Sequence, residues 1–95
     1  MKPPSPQAAE YVAVRALGFL ASEPERIDRF LALSGLNPQN LRSAAAEPGF
    51  LAAVLDHVAS DERLLLSFAR SASLDPQAVA LAREALSSHE WDEGA

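Results

Sequence analysis

Apolar side chains recur along the chain at steps of three and four, the spacing that lays them along one side of an α-helix. The first run follows Ser5-Pro6, where the hydroxyl can cap free amides and the proline suits the first helical position. It carries Ala9, Val12, Ala16, Phe19 and Leu20 and predicts a helix from Pro6 to about Ala21, with a band wide enough for a central place in the fold. Ser22-Glu23-Pro24-Glu25 has the form of a capping box, opening a second helix that turns Ile27, Phe30 and Leu31 inward, spaces Glu25 and Arg29 for an i,i+4 pair, and stops at Gly35.

Asn37-Pro38 then predicts a short third helix anchored by Leu41 and Ala45 and ended by Glu47-Pro48-Gly49. Phe50, Leu51, Val54, Leu55 and Val58 define a fourth, which Ser60 closes while capping a fifth with Leu64, Leu65, Phe68 and Ala72 on one face. Asp75-Pro76 opens a sixth helix with Val79, Ala82 and Leu86, expected to fray within SSHEWDEGA. Strand signals are nearly absent: no period-2 run and no Asn-Gly or Asp-Gly hairpin occurs. The expected fold is all-α, a single domain over residues 1–95 built as a compact orthogonal bundle of five to six short helices joined by short turns, with 1–5 and 88–95 flexible.

The pattern also repeats. Shifted by 38, residues 16–41 align without gaps on 54–79, pairing Leu17 with Leu55, Ala21 with Ala59, Ser22 with Ser60, Phe30 with Phe68, Leu36 with Leu74, Pro38 with Pro76 and Gln39 with Gln77. These are caps and core anchors, which suggests two copies of a three-helix unit, neither able to bury its apolar face alone. Capping rules by themselves also favour Asx-Pro at any helix start, so part of the likeness needs no duplication. Gln39 and Gln77 are the matched pair to which no structural task falls.

Composition narrows the function classes. At 95 residues and 48% hydrophobic, the chain supports one core, which at this size buries about 60–65% of the unfolded surface. With no cysteine, disulfides, thiolate metal sites and a cysteine nucleophile are impossible, and stability rests on packing. MKPPSPQAAEY lacks the apolar core of a secretory signal, and no window approaches 18 unbroken apolar residues, so a cytoplasmic protein without a membrane span is expected. Thirteen acidic residues against eight basic ones give a charge of −5, with the basic residues scattered singly along the sequence. That distribution argues against nucleic acid and anionic membrane as partners.

Few residues invite chemistry. His57 precedes Asp61 by one helical turn, but a metal site needs three or four convergent donors, and in the repeat His57 takes the place of apolar Phe19. A partly buried, hydrogen-bonded helix histidine is the expectation; His89 lies in the polar tail. None of the serines lies in a Gly-x-Ser-x-Gly elbow, the four glycines are too dispersed to cradle a phosphate, and Asp61-Glu62 lies where a helix dipole favours negative charge. No catalytic, cofactor or metal residue is therefore assigned. The second and third helices have the length of a helix-turn-helix, in which Gln39, Asn40, Arg42 and Ser43 would face bases, although only one of these is basic. Trp91, the sole tryptophan, sits in acidic HEWDEG and is the best single candidate for a partner contact, with His57, Gln39 and Gln77 behind it.

In its succession of SEPERIDRFLALSGLNPQNLR, EPGFLAAVLDHVASDERLLLSFA and SLDPQAV, the chain resembles a family of short proteobacterial proteins grouped as domain of unknown function 3572. The likeness covers about residues 10–86. In that family both turns tend to read Gly-Leu-Asp-Pro; here Asn37 replaces the first Asp and Ser73 the second Gly, a costly exchange if the backbone there is left-handed. The resemblance implies a helical fold and a bacterial cytoplasmic setting, and brings no activity, cofactor or catalytic residue. The leading expectation is a non-enzymatic protein–protein interaction module, acting through a groove between the two three-helix halves or through self-association, with Tyr11, Leu33, Leu66 and Leu81 as apolar residues that do not all fit inside. The alternative is a small helix-turn-helix-like DNA-binding regulator.

Overall fold

The computed structural model describes the backbone of residues 5–37, 39–47 and 49–94, and side chains within these ranges through Ser87. Its elements are α1 (Pro6–Ala21), α2 (Pro24–Ser34), α3 (Leu41–Ala45), α4 (Phe50–Ala59), α5 (Glu62–Ala72) and α6 (Pro76–Gly94), with no strand among the described residues. Ser5 caps α1 as expected, accepting the Ala8 N–H. Trp91 lies within α6, whose helical backbone runs on through most of the stretch expected to fray; the Trp91 side chain, like residues 1–4, lies outside the described set.

The core is made of small and branched residues from every long helix: Ala9, Ala13, Ala16 and Leu20 of α1 against Val54, Leu55 and Val58 of α4 and Val79 and Ala82 of α6. Alanine on three turns of α1 lets the α4 and α6 backbones come close, and α1 touches α2, α4, α5 and α6, the central position its wide apolar band implies. Phe30 and Phe68, each 1% exposed, fill the space where α2 and α5 close over that centre. The smallest dimension, 18 Å, corresponds to roughly two helix layers at about 10 Å each.

The shift of 38 carries into three dimensions. α2 and α5 begin and end at corresponding positions, and each is followed by a left-handed residue, Gly35 (φ 76°) and Ser73 (φ 56°). Each closes with the same bond: Leu36 N–H to Leu31 carbonyl at 2.9 Å, Leu74 N–H to Ala69 carbonyl at 2.8 Å. The aspartate or asparagine beyond accepts the amide two residues on, Asn37 from Gln39 at 2.9 Å and Asp75 from Gln77 at 2.8 Å. Contacts between the halves are reciprocal. Phe19 of α1 meets Phe68 of α5 at 5.5 Å between ring centroids, and the counterpart of Phe19 on α4, His57, meets Phe30 of α2 at 5.1 Å. Such exchange of equivalent contacts is what an approximate two-fold relation between the halves produces.

Local details depart from expectation where tertiary constraints intervene. The capping box at Ser22 does not form: the Ser22 hydroxyl donates back to the Phe19 carbonyl at 2.7 Å, ending α1, and Glu23 occupies the cap of α2 without a side-chain bond. With two residues between helices, Ser22 is still held by the first when the second starts. Ser60 likewise closes α4 by donating to the His57 carbonyl, while Asp61 caps α5 by accepting the Arg63 and Leu64 amides. α3 starts at Leu41, later than Asn37-Pro38 suggests, because Asn37 and Asn40 bond each other's amides in a closed turn. Its half-buried anchors are Leu41 and Ala44; Ala45 is exposed. Pro38 and Pro48 lie outside the described residues.

Candidate functional site

Where α2, α4 and α5 converge, the surface opens into a cleft of about 320 Å³. One wall is α2, contributing Glu25, Arg26 and Arg29; the other is α5, contributing Arg63, Leu64 and Ser67; His57 and Asp61 lie between them. Under the shift of 38 the walls are equivalent: Glu25 corresponds to Arg63, Arg26 to Leu64 and Arg29 to Ser67. The cleft is therefore the seam where the two halves face each other. Around Leu64 it continues past His57 and Ser60 to Leu33, whose side chain is 68% exposed.

Each wall is set by helix phase. Phe30 and Phe68 point inward, so the residues one and four positions earlier, Arg29 and Arg26 on α2 and Ser67 and Leu64 on α5, lie along the helix edges that border the cleft. Arg26 is half-buried, its guanidinium 4.2 Å from the centre of the Phe19 ring. That stacking, itself resting on Phe68, orients the guanidinium without neutralising it. The expected Glu25–Arg29 pair does not form. The ion pair found among the described residues is Arg83 with Asp56, both largely exposed, so Arg26, Arg29 and Arg63 stand without a described carboxylate within 4.0 Å.

His57 is half-buried with its ring edge-on to Phe30. Burial, and secondarily the Arg29 charge, hold its pKa below the usual imidazole range, against the opposing pull of Asp61 and Asp56. Among the described residues no hydrogen bond to this ring forms: it packs as an aromatic in the place Phe19 takes in the other half. Ser67, His57 and Asp61 share the cleft, yet no hydrogen bond joins them, so a nucleophile–base relay is not assembled. Among the described residues no three His, Cys, Asp or Glu side chains gather as a metal site would require.

Of the residues that the sequence offered as partner contacts, His57 alone among the described side chains lines the cleft. Gln39 and Gln77 are exposed at equivalent Asx turns away from it, their backbone amides, not their side chains, held by Asn37 and Asp75. The arginines were missed because they are scattered in sequence and converge only when α2 and α5 face each other. The repeat register held the signal: it puts Arg26 and Arg29 on the same helix edge as Leu64 and Ser67. Of the four surplus apolar residues, Tyr11, Leu33 and Leu66 are exposed; Leu81 is half-buried, and Val14 takes its place on the surface. No helix among the described residues is long and apolar enough to cross a membrane.

The chain belongs to the family described as Protein of unknown function (DUF3572), whose model matches residues 6–89, nearly the whole two-part bundle. No curated protein and no solved structure matches it.

Proposed function

We propose that this member of the family is a non-catalytic binding module of the bacterial cytoplasm, which takes a segment of a protein into the cleft between its halves. The observation that carries this reading is the cleft's set of arginines without described carboxylate partners, in a chain of net charge −5, on the seam where the halves differ. Matched positions of the repeat serve the core and the helix ends, whereas the positions lining the seam have exchanged charge and polarity.

DNA binding gains no support from α3. Its five residues span about 7.5 Å, too short for a recognition helix, and Gln39 and Asn40 are in the turn before it. A photo-crosslinking side chain at Ser67, in the cell, tests the proposal against the same probe at exposed Ala80 outside the cleft. A protein adduct from position 67 that Arg29→Ala abolishes is the expected outcome. Equal labelling from both positions, or none from position 67, defeats it.

A further inference from the structure

The two walls of the cleft differ in kind. On α2, Arg26 and Arg29 present guanidinium groups one turn apart, beside Glu25; at the positions corresponding to the two arginines α5 presents Leu64 and Ser67, with Arg63 at the place of Glu25. The seam extends to exposed Leu33 on one side and to the imidazole of His57 on its floor. An occupant that satisfies both walls carries carboxylates along one edge and a large apolar group along the other. A compact dianion such as phosphate fits poorly, since Glu25 and Asp61 stand in the same cleft and would repel concentrated charge.

One stretch of this chain has that composition. Glu90-Trp91-Asp92-Glu93 gathers three of the thirteen acidic residues around the sole tryptophan. The helix that bears it continues to Gly94, eight residues and about 12 Å past Leu86, the last buried residue of the described side chains. We propose that the cleft receives this acidic, tryptophan-bearing segment from a second copy of the chain, in reciprocal exchange, so that each copy supplies one segment and one cleft. Carboxylates of the segment meet Arg26 and Arg29, and the indole lies toward Leu64 and Leu33. Reciprocal exchange closes the pair and avoids an open head-to-tail polymer. This inference rests on the reading of the cleft as a protein-binding seam and adds the identity of the occupant.

Trp91, being the only tryptophan, reports on the contact directly. Sedimentation of the purified full chain should show a concentration-dependent monomer–dimer equilibrium at ~50 mM salt that weakens at ~500 mM, with Trp91 emission shifting to the blue as dimer forms. Arg26→Ala with Arg29→Ala should weaken association by about tenfold or more with helical circular dichroism unchanged, and Arg29→Ala alone, which leaves the Arg26 contact on Phe19 intact, should weaken it less. Trp91→Ala should do the same from the other side. Mixing the double-arginine variant with Trp91→Ala should restore a pair through the one intact cleft and one intact segment, at labelled concentrations where neither variant associates alone. A chain that stays monomeric at high concentration, a dimer indifferent to these substitutions, or a Trp91 emission that never varies with concentration overturns the inference. A crosslink from position 67 to a different protein, with this chain monomeric, overturns it while leaving the binding role standing; no crosslink at all removes both.

Discussion

The two halves start from the same plan and end with different third helices. In the first, Asn37 and Asn40 lock each other's amides, α3 begins only at Leu41, and it ends at Ala45 before Pro48-Gly49. In the second, Ala78 stands where Asn40 would, nothing competes for the Asp75 turn, and Leu86-Ser87 replaces Pro-Gly, so α6 runs for 19 residues. The consequence is lopsided packing: α3 touches only α4, whereas α6 packs on α1, α4 and α5. A short polar side chain able to bond nearby backbone decided how one copy of a unit was used to cover the other.

The comparison can be broken most forcefully at the paired aromatics. Phe30→Ala and Phe68→Ala should each cost about 3–5 kcal/mol in urea unfolding, with a single transition in both variants. Two transitions, or a large loss from only one, would mean that the halves are not one cooperative unit. Next come the left-handed turns, where opposite signs are expected. Gly35→Ala should destabilise by about 1–2 kcal/mol through its φ of 76°, although the added Cβ would meet nothing within 4 Å. Ser73→Gly should stabilise by about 1 kcal/mol, relieving the φ of 56° less the entropy glycine brings to the unfolded chain. Thermal midpoints of the two variants, moving in opposite directions, are the check.

A subtler contrast is pH. The folded-state pKa of His57 is depressed, so below about pH 6.5 the unfolded chain takes up the proton more readily. Its stabilising contribution is complete above the unfolded value and falls away as the pH drops from there toward the lowered folded value. His57→Phe, restoring the residue of the first half, should flatten the stability profile between neutral and mildly acid pH; an unchanged profile would assign the dependence to other groups. Smallest of all is Asp56, the counterpart of Gly18, whose partner Arg83 comes from the extended α6. Arg83→Ala should change stability by less than about 1 kcal/mol and nothing measurable at high salt, since both side chains are largely exposed.

Elements governed by local chemistry were legible in the sequence. Ser5-Pro6 opens α1, Gly35 ends α2, and the unusual Ser at position 73 does adopt the left-handed backbone that the family's glycine suggests. Features decided by competition or convergence were not. Ser22 has two helices within reach and serves the one that is ending; Asn37 has a cap to offer and spends it on a turn with Asn40. The cleft was legible only as a place, the seam between halves. Its arginines are isolated in sequence, and their shared edge depends on how α2 and α5 are brought face to face.

The reciprocal ring contacts bear on what happens when the chain is cut. Phe19 finds Phe68, and Phe30 finds His57, so each half completes the other's aromatic layer across the seam. The connection through exposed Ala46 and Glu47 holds none of that layer. A protease nick there would sever the backbone without removing a core contact, and the two fragments would remain associated as a non-covalent complex whose melting temperature depends on concentration.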